Sequence, residues 1–234
     1  MLLTFLRAVA SGPGLPDEVQ AYEEALARLR AGAGVTLEEV FIAGARAAEA
    51  LLNPDPPGGA TLLETLDAAG VGAAAARMPG FVLQRAETIM AAPDPEFFRV
   101  LARAHGDDAD RRFFEAYRRT FSLPGQRAWA RRLGAGERCT RYGRRTLVEL
   151  YRQWSDHRRL HPDRYASQVA AFLQDIEAEL LTGTCACGSR ADVVRELRGF
   201  VDSFPDATVT GAVRARLRQL EGGGGNVRPA CRAA

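Results

Sequence analysis

The chain has 234 residues, of which 47% are hydrophobic and 26% charged. These are the values of a folded protein rather than a disordered one, and the length suffices to bury a substantial core in one large domain or two smaller ones. The formal net charge is +2 and all 31 basic residues are arginine, so there is no lysine for a P-loop of the GxxxxGK[ST] type, a protein-kinase ATP site, a pyridoxal Schiff base or a Ser-Lys nucleophile pair.

Helix punctuation is legible along most of the chain. Leu15-Pro16-Asp17 opens a segment with Val19, Tyr22, Leu26 and Leu29 on one face, and Gly32 stands where a C-terminal cap belongs. Thr36-Leu37-Glu38-Glu39 reads as a capping box, flanked by Val35 and Val40 as a hydrophobic staple, for a second helix to about Leu52. The Pro- and Gly-rich stretch 53–60 is the candidate sub-boundary. Thr61-Leu62-Leu63-Glu64 is a further capping box, limited by Gly70 and Gly72, and residues 71–92 read as a weak helix broken at Pro79-Gly80. Asp94-Pro95-Glu96 starts a helix to about His105, and the acids Asp107, Asp108 and Asp110 start another that ends before Pro124.

Thr146-Leu147-Val148-Glu149 has the form of a third capping box, beginning a helix with Leu147, Leu150, Tyr151 and Trp154 inward and ending at Pro162. Tyr165, Val169, Phe172, Ile176 and Leu180 recur at spacings of three and four, Ser189-Arg190-Ala191-Asp192 begins a helix to Phe204, and a last helix covers about Thr208 to Leu220. No stretch alternates long enough to suggest a strand. The expectation is therefore an all-α protein, a bundle or irregular stack of about 8–10 helices, with one domain over 1–221 and a flexible tail over 222–234.

The last two helices, with Phe200, Phe204-Pro205 and Leu217 about the turn, resemble the hairpins of tetratricopeptide-like proteins over about 35 residues. That family's small packing residues are replaced by Val193 and Phe200, and no such period recurs upstream, so the likeness is one of shape. Asp107-Asp108-Ala109-Asp110 resembles the aspartate-rich magnesium motif of isoprenoid synthases. Here, though, the acids open a helix after a glycine, and no second cluster appears; the helix dipole accounts for them.

No GxSxG elbow, HExxH, C-x-x-C or dinucleotide fingerprint occurs, so the reading leans away from an enzyme. His157 and His161 stand four apart on a helix, and with Cys185 and Cys187 they would supply a Cys2His2 zinc set, the one cofactor the sequence suggests. The single residue between the two cysteines is short for such a site. Cys139 with either histidine would make a nucleophile pair, against the ordinary structural cysteine. Four cysteines suit two disulfides but are too sparse for a disulfide framework, which leaves the redox state open.

One feature departs from background. Residues 1–110 hold 8 arginines against 16 acids, residues 111–164 hold 15 against 5, and residues 165–234 hold 8 against 8. The basic middle also carries eight of the eighteen aromatics. The first functional expectation is therefore a non-enzymatic binding or scaffold protein that engages an acidic protein partner through Arg131, Arg132, Arg138, Arg141, Arg144 and Arg145 with Trp129 and Tyr142. The second is RNA or single-stranded DNA bound by 111–164, with aromatics stacking on bases; the third is a metal-dependent enzyme centred on His157 and His161. The bland alternative is that these arginines pair with the N-terminal acids and the aromatics are core. No apolar run approaches the roughly 18 residues that span a bilayer. Met1–Leu6 is too short for a signal-peptide core, so the default location is cytoplasmic with secretion left open. Oligomeric state is not legible.

Overall fold

The structure is a computed structural model that describes residues 14–53, 58–85, 89–134 and 137–228. The chain divides into two compact units, Met1–Asp94 and Pro95–Ala234.

In the first unit, α1 (Asp17–Arg30) buries Val19, Tyr22, Leu26 and Leu29, as its spacing predicts. It packs on α2 (Leu37–Leu52), where Thr36 and Glu39 cap each other reciprocally. The short α3 (Leu62–Thr65) carries the Thr61–Glu64 box, and α4 (Ala68–Arg77) begins at Asp67, whose carboxylate accepts from the Gly70 amide.

The expected all-α class is corrected here. Most of the described residues are helical, but three antiparallel two-stranded sheets accompany the ten helices among them. Residues read as a broken helix after Pro79-Gly80 instead form β1 (Phe81–Arg85) and β2 (Ile89–Pro93), in register from Phe81↔Pro93 to Arg85↔Ile89. Gly80 adopts φ +88°, a left-handed conformation that stops the helical path. Phe81 then turns edge-on to Tyr22, centroids 5.3 Å apart, over Gly44, where a Cβ would lie 2.4 Å from its ring. Five-residue strands held by partners on another helix leave no local period to read.

The second unit opens with α5 (Pro95–His105) and α6 (Asp108–Thr120). Two hairpins follow, β3 (Phe121–Leu123) with β4 (Gln126–Arg127) and β5 (Ala130–Gly134) with β6 (Glu137–Thr140). Then come α7 (Thr146–Leu160), α8 (Ala166–Thr182), α9 (Arg190–Ser203) and α10 (Thr210–Glu221). Its core is aromatic: Phe113 stacks on Tyr165 at 3.8 Å, Trp154 on Phe172 at 4.6 Å, and the Trp154 indole N–H donates to Thr120 Oγ1 at 3.0 Å. The acids at the start of α6 form their own capping box, Asp107 with Asp110. Asp110, buried, also accepts from Tyr165 Oη at 2.6 Å and Arg164 at 2.8 Å.

Two helix ends in this unit are closed from a distance. The box expected at Thr146–Glu149 does not form. Thr146 is already helical, and the residue before it, Arg145, takes φ +61° with no side-chain cap. The carboxylate of Glu196 on α9 does the work instead, accepting from the amides of Gly143 (2.8 Å), Arg145 (2.8 Å) and Leu147 (3.2 Å). At the other end of the layer, the buried Arg216 of α10 donates to the carbonyls of Glu179, Leu180 and Gly183 at the C-terminus of α8.

The segment expected as a loose tail is also held as far as it is described. The Arg228 amide donates to Thr184 O at 2.7 Å, its carbonyl accepts from the Ala186 amide at 3.1 Å, and Arg190 donates to Gly223 O at 3.0 Å. Residues 229–234 lie outside the described part. No helix among the described residues is long and apolar enough to cross a membrane.

Candidate functional site

The candidate site is the β5–β6 hairpin and the turn that leads from it into α7. A disulfide between Cys139 on β6 and Cys187 anchors the hairpin, with Cα atoms 5.0 Å apart. Beside it the Thr140 amide donates to Cys185 O, and the Cys187 amide to Thr140 O, both at 2.9 Å, so the segment after α8 lies against β6. The Arg141 amide donates to Trp129 O at 2.8 Å and extends the pairing beyond the strands. Below the hairpin, Thr140 Oγ1 donates to Glu179 Oε1 at 2.5 Å, and Tyr142 Oη to the Glu179 carbonyl at 2.9 Å.

On this frame Arg131, Arg132 and Arg138 stand on the hairpin, exposed, with Arg132 directly opposite Arg138. Opposed residues of an antiparallel pair share a face, and like charges there repel. Arg141 is half-exposed, while Arg144 and Arg145 are exposed on the turn, where Arg145 donates to Ser203 Oγ at 3.3 Å. Among the described residues, none of the six forms an ion pair with a carboxylate. Other arginines of 111–164 do pair with acids of 1–110: Arg112 with Asp108, Arg118 with Glu96, and Arg164 with Asp107 and Asp110.

The two aromatics expected beside them take a different place. Trp129 is 4% exposed and Tyr142 5%, so neither offers a ring face for a base to stack on. Burial, with Glu179 adding to it, pushes the Tyr142 phenol above its usual range. Sequence reasoning missed Arg127 altogether. Its guanidinium lies 4.5 Å from the Phe121 ring centroid, 5.3 Å from Phe172 and 5.5 Å from Trp129, and it pairs with Asp175. Burial lowers its pKa; Asp175 opposes that, and the nearby charge of Arg138 lowers it further. Arg127 thus fastens the hairpins to α8, and nothing in the sequence near it signals three rings drawn from β3, the hairpin connection and α8.

The zinc set is not brought together. Cys187 is oxidised with Cys139, and Cys185 is disulfide-bonded too, so neither presents the thiolate a zinc ligand requires. The same bond removes Cys139 as a nucleophile. The His157 and His161 rings are 5.3 Å apart, His157 Nε2 lies 3.3 Å from Ala109 O, and His161 Nε2 lies 3.5 Å from Asp108 Oδ2. Among the described residues no group of three or more His, Cys, Asp or Glu side chains is placed to hold a metal.

A cleft of about 500 Å³ lies between the hairpin and the end of α8, lined by Arg127, Arg138, Thr140, Asp175 and Glu179 among others. A second, of about 520 Å³, lies along α5, α6 and α7. In comparisons with known proteins, no family model, curated protein or solved structure matches the chain.

Proposed function

We propose that the protein is a non-enzymatic binding module whose β5–β6 hairpin engages an acidic protein partner through Arg131, Arg132 and Arg138, with Arg141, Arg144 and Arg145 extending the contact. The observation that carries this reading is the cross-strand pair Arg132↔Arg138, exposed and without a carboxylate partner among the described residues. Such an arrangement costs stability in isolation. An acidic partner removes that repulsion and receives bidentate guanidinium contacts. The disulfide anchor supports the reading as well, because a hairpin fixed at Cys139 loses little further freedom on binding.

Acidic protein is favoured over nucleic acid because Trp129 and Tyr142 are buried, which leaves the guanidinium groups without the stacking platform that single-stranded binding uses. The reading also carries a location. A protein held by Cys139–Cys187 suits an oxidising compartment better than the cytoplasm.

The test is a binding titration of the intact, oxidised protein with labelled poly-L-glutamate and with a labelled oligothymidine, over about 50 to 200 mM salt. The expected result is saturable binding of polyglutamate that weakens with salt and falls at least about tenfold in Arg132→Ser/Arg138→Ser. Binding of oligothymidine with the same arginine dependence, and none of polyglutamate, transfers the hairpin to nucleic acid. Retention of neither polyanion ends the proposal.

A further inference from the structure

The structure holds a second arginine-rich surface that the hairpin does not touch. Helix α6 packs against α5 on one side and α7 on the other. Its outward residues Asp108, Arg111, Arg112, Glu115 and Arg119 follow the helical period and form a floor. Arg99 and Arg103, four apart on α5, line one wall, while Gln153, Asp156, His157 and Leu160 on α7 line the other. From Asp108 to Arg119 the floor runs about 17 Å at 1.5 Å per residue. This is the length of three helical turns.

The charges along this trough do not cancel. Five guanidinium groups face three carboxylates, and each carboxylate already has an arginine: Asp108 takes Arg112 at 2.7 Å, Glu115 takes Arg119 at 3.3 Å, and Asp156 takes Arg159 at 3.0 Å. Arg99 pairs with Glu96. Arg103 and Arg111 are left, both exposed and neither in a direct ion pair with a carboxylate among the described residues, though the charge of Arg111 also acts on Asp108; Arg111 spends one N–H on Gly106 O at 2.7 Å. Between the charges the surface is apolar, formed by arginine stems and Leu160, which is 44% exposed, above the buried Ala116. A floor of helical length, an apolar middle and surplus positive charge together describe the complement of one object, an amphipathic helix whose polar face is acidic.

We infer that the α5–α6–α7 trough is a docking groove for an acidic amphipathic helix of a protein partner, which sets its carboxylates on Arg103 and Arg111 and its apolar face over Leu160 and the arginine stems. The inference does not depend on the hairpin. A partner that used both surfaces would gain from their linkage, and one that used either alone would still bind.

The probe is a fluorescent peptide of about 16 residues, roughly four helical turns, with Glu on one face and Leu and Ala on the other. Its Glu→Gln counterpart serves as the control. Fluorescence anisotropy with the intact protein should show saturable binding of the Glu peptide, weakened at least about tenfold in Arg103→Glu/Arg111→Glu. The Gln peptide should bind at least about tenfold more weakly to the unaltered protein, and the loss on Arg103→Glu/Arg111→Glu should be seen equally in the Arg132→Ser/Arg138→Ser background, which removes the hairpin's own attraction for acidic chains. Circular dichroism checks that the double reversal is folded. If it is not, Leu160→Asp decides, since that side chain is already exposed and should still weaken binding about fivefold. Binding unchanged by the groove variants, binding lost only in the hairpin variant, equal binding of the two peptides, or no saturable binding overturns the inference. The hairpin proposal is judged separately, on polyglutamate.

Discussion

Replacing Glu196 tests whether one buried carboxylate closes the N-terminus of α7. Glu196 is 1% exposed, and it accepts from three backbone amides, those of Gly143, Arg145 and Leu147. A hydrogen bond to a charged group contributes about 1.5–3 kcal/mol net, and a buried donor left without an acceptor costs about 1–3 kcal/mol. In Glu196→Ala the Leu147 amide is fully buried and bears the whole cost, whereas the Gly143 and Arg145 amides are part-buried, so water that enters recovers some of theirs. The sum comes to about 3–5 kcal/mol, the range for removing one partner of a buried charged interaction. Glu196→Gln keeps one carbonyl oxygen but turns an NH2 toward a backbone donor, at about 2 kcal/mol. For a unit of this size, about 4 kcal/mol lowers Tm by roughly 10–15 °C. Both tryptophans, Trp129 and Trp154, lie in this unit, so their fluorescence in a urea or thermal melt reports on it. A loss of less than about 1 kcal/mol in Glu196→Ala, the level of an ordinary surface change, would refute the reasoning.

Two further outcomes follow from the same unit and its neighbour. The Cys139–Cys187 bond closes a loop of sequence separation 48, worth about 4 kcal/mol by loop-closure entropy, so Cys139→Ala/Cys187→Ala should lower the urea midpoint measurably, and an unchanged midpoint would show the bond to be dispensable. Burial raises the phenol of Tyr22 and, with help from Glu179, that of Tyr142, and it pushes the phenol of Tyr151, helped by Glu177, up to about 12. Because the folded value lies above the unfolded one near 10, the stability these groups give is complete below about pH 10 and is lost as pH climbs toward 12. Phenolate absorbance in an alkaline titration should therefore rise for these three only as the protein unfolds; three early, reversible ionisations in the folded state would contradict their burial.

The sequence by itself determined the helices and most of their ends. Capping depends on residues three apart, and Thr36 with Glu39, Thr61 with Glu64 and Ser189 with Asp192 close their helices as their order requires. Core faces are equally local: Val19, Tyr22, Leu26 and Leu29 are buried because the helical period puts them on one side. The charge excess of 111–164 is legible too, though not its division between a hairpin and a helical trough.

Only the tertiary structure decided the rest, because each remaining feature joins residues far apart in the chain. Thr146–Glu149 has the spacing of a capping box, yet Glu196, some fifty residues on, occupies that role and leaves Arg145 at φ +61°. The β5–β6 strands carry arginines in place of the β-branched residues that would announce them. They are held instead by the Cys139–Cys187 bond and, through Arg127, by contacts to α8. Trp129 and Tyr142 stand among arginines in sequence but against Arg127 and Glu179 in space, and that contact, not composition, removes them from the binding surface.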